Sequence, residues 1–358
     1  MRIAISLLAL AGMTSCAAAA PRYVVQEESL EDVFARVQGA VVTIYTVGRT
    51  GITDASGQVA TEGGVGSGVL IDAEGRILTA AHVVQTADLV AVEFAGSEPI
   101  EARVLGSVPL ADVAMIQLTA PVPAGIQPVP LGDSDAARVA SRVFVVGAPL
   151  GISHTLTVGY LSARRSTPSL LGTEFQVEVF QTDAAINQGN SGGPMFDQEG
   201  NVIGLVSYIV SQTGGSEGLG FAVTSNTARR LLLERSLFWS GMDYVIVAGP
   251  LARALNLPEG RAGLLIQRVA QGSGSERLGI RGGSIAASIE GIDVLLGGDV
   301  VLEAFGARID EPGGLERILA ATGALQPDST VEVVVLRDGE LLTLAGAVAE
   351  LVSGSAGG

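Results

Sequence analysis

The chain has 358 residues, 47% of them hydrophobic and 16% charged, which is globular composition and more length than one ordinary domain needs. Its formal charge is -16 and its 21 basic residues are all arginine, with no basic stripe, so nucleic acid is an improbable partner. The single cysteine, Cys16, excludes a disulfide and a thiol nucleophile downstream of it.

The chain opens on MRIAISLLALAGMTSCAAAAP, one arginine, an apolar run and then small residues, which reads as a signal peptide over residues 1–20 and implies export. Two readings of its end stay open. Met13-Thr-Ser-Cys16 is compatible with a lipobox, so that a lipidated Cys16 would anchor the protein to a membrane, and Ala17 to Ala20 is compatible with ordinary cleavage. Either places the protein in the bacterial cell envelope. No later apolar run reaches the roughly 18 to 20 residues of a membrane span.

Ser29 followed by Leu-Glu-Asp predicts an N-cap and a short helix whose apolar face is Leu30, Val33, Phe34 and Val37, ended by Gly39. From Val41 to about Val223 short runs such as VVTIYTV, RILTAA, LVAVEF, DVAMIQL, RVFVVG and NVIGLVSY, broken by Gly, Pro and Asp, predict ten or more strands forming sandwiches or barrels. Residues 68–78 echo residues 193–203 around an Asp-x-Glu-Gly turn, which fits either a duplicated hairpin or a common turn chemistry. A helix is predicted at Ser225 to Phe238 with Ser225 as N-cap. Beyond it, strands (LLIQRV, STVEVVVLR, LLTLAG) mix with helices (GPLARALNL, GGLERILAAT) in an α+β unit over residues 239–350, and residues 351–358 read as a flexible tail.

The stretch NQGNSGGP sets Ser191 among glycines in a turn suited to presenting a hydroxyl. Its G-x-S-x-G pattern also fits the nucleophile elbow of α/β hydrolases, but those place their histidine after the serine, and the two histidines here, His82 and His154, both precede it. The order His, Asp, Ser remains. His82 ends the apolar run ILTAAH, where a strand finishing in small residues lets a side chain emerge at a barrel rim, and Asp112 abruptly precedes the apolar VAMIQL.

TAAHVV, ADVAMIQL and QTDAAINQGNSGGP together resemble the three active-site segments of the HtrA/Deg family of trypsin-like serine proteases. GSGVLI before the histidine and GLGFAV before the linker helix strengthen the likeness. The resemblance implies a mostly β fold, a chymotrypsin-like double β-barrel over residues 29–236 followed by an α+β PDZ domain over 239–350. It implies an ATP-independent serine endopeptidase without cofactor or metal, acting on misfolded or exposed polypeptides in the periplasm.

The resemblance assigns His82 as general base, Asp112 as its orienting carboxylate and Ser191 as nucleophile, with the amides of Gly189 and Ser191 as oxyanion donors. It places Ile186 and Ile209 in the S1 pocket, where two branched apolar walls would take valine or alanine and exclude lysine and arginine; the alternative is that both are ordinary core residues. The loop for a peptide C-terminus falls on Ser240, Gly241 and Met242, with serine in place of the usual apolar residue. An extra stretch, SIAASIEGIDVLL, lies between two Gly-Gly pairs in the second unit. The family also commonly forms trimers through its N-terminal segment, to which Tyr23 and Phe34 could contribute. Two alternatives remain: the second unit only spaces or assembles protomers, or the whole chain is a non-catalytic chaperone or scaffold.

Overall fold

A computed structural model of the chain describes residues 28–352 except 54–57, 149–153, 167–176, 212, 214 and 290. The leader with Cys16, Tyr23 and residues 353–358 of the expected tail lie outside the described residues.

Helix α1 (Leu30–Val37) begins as its sequence dictates, the Ser29 hydroxyl accepting from the amide of Asp32, and buries Val33 and Val37. Phe34 is half-buried against the same core. The first barrel is built from β1 (Val41–Thr53), β2 (Val59–Leu70), β3 (Arg76–Thr79), β4 (Leu89–Glu93), β5 (Ile100–Val108) and β6 (Val113–Leu118). It closes in the order β1-β2-β3-β6-β5-β4.

Between β3 and β4 lies a one-turn helix, α2 (Ala81–Val84). The second barrel repeats the topology with β7 (Arg142–Gly147), β8 (Thr155–Ser166), β9 (Glu178–Thr182), β10 (Pro194–Phe196), β11 (Val202–Ile209) and β12 (Gly220–Thr224), closing as β7-β8-β9-β12-β11-β10. The fold is thus a mostly β, chymotrypsin-like double barrel. Closure leaves neither sheet with a free edge, and alternate side chains fill the interiors.

The echoed sequences both form hairpins, but not equivalent ones. Residues 68–78 join the second and third strands of their barrel, and residues 193–203 the fourth and fifth of theirs. What they share is turn chemistry. Asp72 and Asp197 each accept backbone N–H bonds (Arg76 N 3.0 Å, Asn201 N 2.8 Å), and Gly75 and Gly200 have positive φ.

Helix α3 (Ser225–Leu232) is capped by Thr224 rather than Ser225 and stops six residues before Phe238. The chain there leaves the helix to lie on the first barrel, where Ser107 N donates to Phe238 O and Leu237 packs over Gly106.

The second unit contains β13 (Met242–Val247), α4 (Gly249–Ala254), β14 (Gly263–Val269), α5 (Gly274–Leu278), a hairpin of β15 (Ile285–Ile289) and β16 (Ile292–Leu296), then β17 (Val300–Ala304), β18 (Ala307–Arg308), α6 (Gly314–Gly323), β19 (Thr330–Arg337), β20 (Glu340–Ala347) and α7 (Val348–Val352). Its sheet runs β13-β14-β17-β19-β20, with β18 on β17. The extra stretch noted in the sequence is the separate hairpin β15-β16. The unit extends past Glu350: Leu351 is buried in its core, so the first residues assigned to a tail are structural.

The hairpin of β1 and β2 reaches beyond the barrel to this unit. Gly51, at φ +78, comes so close to Gly283 that a Cβ would sit 2.7 Å from the Gly283 carbonyl oxygen. Only glycine satisfies both the backbone angle and the approach.

Candidate active site

His82 sits on the single turn of α2, not at the end of a strand, because β3 stops at Thr79 and the small Ala80 and Ala81 allow the chain to turn into a helix over the buried barrel rim. Its ring Nδ1 lies 2.9 Å and 3.0 Å from the two carboxylate oxygens of Asp112, and its backbone N–H donates to Asp112 Oδ1 at 3.0 Å. A carboxylate only accepts, so Nδ1 carries the ring proton and the lone pair is on Nε2, the nitrogen a base needs.

Asp112 caps a 3₁₀ turn, Pro109–Ala111, in the left-handed region at φ 51, ψ 44, a conformation aspartate tolerates better than most residues. The Ser207 hydroxyl, from β11 of the second barrel, donates to Asp112 Oδ2. Sequence reasoning did not single out Ser207; the available signal was one serine in the otherwise apolar strand VIGLVSYI. On the His82 ring, burial is the largest influence and lowers its pKa. The hydrogen bond and charge of Asp112 together outweigh it, and the net position is above the usual imidazole value.

Ser191 follows Gly189 and Asn190 in a tightly laced turn. The N–H groups of Asn190, Gly192 and Gly193 donate to Asn187 O, Val206 O and Asn190 O. Those of Gly189 and Ser191 find no acceptor among the described residues. Gly189 has φ +100, and its carbonyl is held inward by the buried Ser67 hydroxyl at 2.7 Å. Gly192 (φ +80) admits no side chain, since a Cβ would lie 2.1 Å from Thr79 Oγ1. Ser67 is a second residue that the sequence left unassigned; a hydroxyl between two glycines ahead of an apolar strand was its only mark.

His82, Gly189 and Ser191 line one hollow of about 340 Å3. No hydrogen bond joins the imidazole to the Ser191 hydroxyl, a contact that commonly lengthens when no substrate is present. Ile186 and Ile209 line a second hollow of about 290 Å3 with Ser191, Ser207 and Tyr208. A third, also about 340 Å3, lies against Asp112, Ser207 and Tyr208.

His154 is spent elsewhere, its Nε2 lying 3.1 Å from the Val41 carbonyl oxygen. Glu178 pairs with Arg164, and Asp183 accepts from Tyr160 N. Ser240, Gly241 and Met242 lead into β13 with their carbonyls accepting from Ser275 N, Ala270 N and the Gln85 side chain.

Residues 66–205 match the family described as trypsin-like peptidase domain. A probable periplasmic serine endoprotease DegP-like of Pseudomonas fulva is 32% identical over 291 residues, 79% of this chain and 55% of that protein. The periplasmic pH-dependent serine endoprotease DegQ of Escherichia coli is 36% identical over 238 residues, 64% of this chain and 50% of that one. Among solved structures, the HtrA-type protease AlgW with a tripeptide matches with a TM-score of 0.51 at 28% identity, over 89% of this chain and 96% of that chain. The chain spans about half the length of the curated relatives it matches.

Proposed function

Since the chain belongs to the HtrA/Deg family of trypsin-like serine proteases, we propose that it is an ATP-independent serine endopeptidase of the bacterial cell envelope, cutting misfolded or exposed polypeptides through His82, Asp112 and Ser191. The observation that carries this reading is the pairing of His82 with Asp112 beside a serine turn in which, of the amides from 189 to 193, only those of Gly189 and Ser191 find no acceptor among the described residues.

In this mechanism the Ser191 hydroxyl attacks the peptide carbonyl while His82 Nε2 takes its proton. Asp112 holds the tautomer and stabilises the imidazolium that forms. The Gly189 and Ser191 amides receive the developing oxyanion, an interaction stronger in the transition state than in the substrate. His82 then protonates the leaving amine, and water releases the acyl group by the same steps in reverse. Ile186 and Ile209 give the acyl-side hollow two branched walls, which suits a valine or alanine before the scissile bond.

The second unit is read as a PDZ domain that binds a peptide C-terminus. Support comes from β13, at the end of its sheet, and from an apolar cavity of about 160 Å3 beside it, lined by Met242, Tyr244, Leu315 and Ile318 and closed on the barrel side by Leu110. Its carboxylate loop is assigned to Ser240, Gly241 and Met242. Assembly into trimers through the N-terminal segment belongs to the same reading.

The absence of a hydrogen bond between His82 and Ser191 favours a second reading, a polypeptide-binding chaperone or scaffold with an unformed triad. Fluorophosphonate labelling and casein turnover by the purified protein, with and without a C-terminal peptide, separate the two. The parent is expected to label and digest casein, and Ser191→Ala to do neither while melting at the parent's temperature. Casein turnover by Ser191→Ala equal to the parent's would remove Ser191 from the reaction, and failure to label under every condition would favour the scaffold.

A further inference from the structure

The two hollows on the Asp112 and Ile186 sides of Ser191 share Ser207 and Tyr208 of β11 and form the acyl side of the cleft. The remaining hollow contains no residue of β11. Its walls include Thr46, Glu62, Val65, Val83 and Thr86, and it meets the others at Ser191 and His82. With the acyl segment along β11 and the scissile carbonyl directed at the Gly189 and Ser191 amides, the segment after the scissile bond departs along this hollow, which Gly189 and Ser191 line.

One residue of the second unit reaches it, Arg268 of β14. The chain around Arg268 is fastened to the first barrel. Arg49 donates to Val269 O at 3.5 Å and to Glu276 Oε1 at 3.2 Å, and Asp88 accepts from both Arg49 N and Gln271 N at 3.1 Å and 2.6 Å. Arg268 is therefore held at the cleft by its backbone, and its guanidinium is left underused.

That guanidinium makes no hydrogen bond among the described residues. Its nearest carboxylate is Glu62 Oε2 at 3.6 Å, on a side chain 68% exposed. Such an exposed pair contributes little and yields readily to competition. Arg337 in the same unit differs, its fork filled by the buried Asp299 at 2.7 Å. Apart from His82 and Ser191, the other polar side chains of the hollow, Thr46, Thr86 and Gln188, are neutral, and Glu62 is free to turn to solvent.

We infer that Arg268 is a specificity-determining residue for the leaving segment, selecting substrates with a carboxylate in the first few positions after the scissile bond. A planar guanidinium grips a carboxylate bidentately, a geometry the Glu62 contact does not achieve. This rests on the reading of Ser191 as nucleophile and extends it, since the second unit then supplies part of the substrate cleft itself.

The test is a set of quenched fluorescent peptides with a common acyl side, carrying Glu, Gln or Lys at each of the first four leaving-side positions in turn. Read as the Glu/Gln ratio of kcat/KM within each enzyme, the parent is expected to prefer Glu about threefold to tenfold at one position, less so at high salt. Arg268→Gln should bring that ratio to about one, and Arg268→Glu should replace it with a preference for Lys. Fluorophosphonate labelling normalises the active fraction of each preparation. A parent with no Glu preference at any position, or an Arg268→Gln variant that keeps it, overturns the inference. A parent that neither labels nor cleaves overturns the protease reading instead, and this inference with it.

Discussion

Ser67→Ala is the sharpest perturbation of the proposed oxyanion site, because the hydroxyl it removes touches neither substrate nor the Ser191 side chain. Ser67 is fully buried on β2, and its hydroxyl donates to Gly189 O at 2.7 Å while accepting from Ala148 N at 2.9 Å. Its own amide donates to Ser191 O at 2.8 Å, so one residue of the first barrel laces the nucleophile turn of the second. Removing the hydroxyl strands a buried carbonyl and a buried N–H, each worth about 1–3 kcal/mol if nothing relaxes. The turn has a way to relax: the Gly189 carbonyl rotates in search of a partner, carrying the flanking amides away from the oxyanion position. Loss of one such donor costs about a hundred- to a thousandfold in rate. The expected result is a fall in kcat of about a hundredfold with little change in KM, matched by slower fluorophosphonate labelling. Thr79→Val is the control. The Thr79 hydroxyl donates to Ser67 O at 2.7 Å without touching Gly189, so its removal should cost comparable stability and far less rate. Ser67→Ala labelling at the parent's rate despite a lowered Tm would refute the claim that Ser67 sets the donors.

Further outcomes follow from the site. His82 must be neutral to accept a proton, and Asp112 holds its pKa above the ordinary value, so kcat/KM should rise with pH along a limb centred above about 6.5; Asp112→Asn should cut activity by about 10⁴ and move the residual limb below that point. The same shift means that the His82–Asp112 pair contributes its stability fully below about pH 6.5 and loses it as pH rises through the folded-state pKa, a trend readable in denaturant midpoints across pH. Cleavage-site mapping on casein should find valine and alanine dominating before the scissile bond, and dominant cuts after arginine would remove Ile186 and Ile209 from the pocket.

Much of this was legible because strand periodicity and turn chemistry are local. The apolar runs from Val41 to Val223 fall on barrel strands, and His82, Asp112 and Ser191 stand in short stretches whose composition changes abruptly. Of the barrel strands, two fall in none of those runs. β5 (Ile100–Val108) carries Glu101 and Arg103 on its outer face, and β10 (Pro194–Phe196) is too short for an alternation to register. The placement of His82 on a helical turn was misjudged because TAAHVV has no cap and reads equally as a strand end. Ser67, Ser207 and Arg268 owe their interest to partners 122, 95 and 206 residues away in sequence, the last being Glu62 (268 − 62). No local pattern encodes such distances.

The His82–Asp112 pair depends on both units. Gln85 caps the helix that carries His82, and its buried side chain donates to Ser240 Oγ at 3.0 Å and Met242 O at 2.8 Å, while its carbonyl accepts from Trp239 Nε1 at 3.0 Å. Leu110, two residues before Asp112 in the same 3₁₀ turn, packs into the apolar core of the second unit beside Met242 and Tyr244. The elements bearing the imidazole and the carboxylate are thus each fastened to the start of β13, the strand to which the proposed PDZ reading assigns peptide addition. Under that proposed reading, a ligand that displaced Leu110 from the cavity would act on the backbone of Asp112 directly, where a left-handed φ leaves little freedom to absorb the movement. Peptide capture and proton transfer would then be coupled through one short turn, with no longer path through the barrels required.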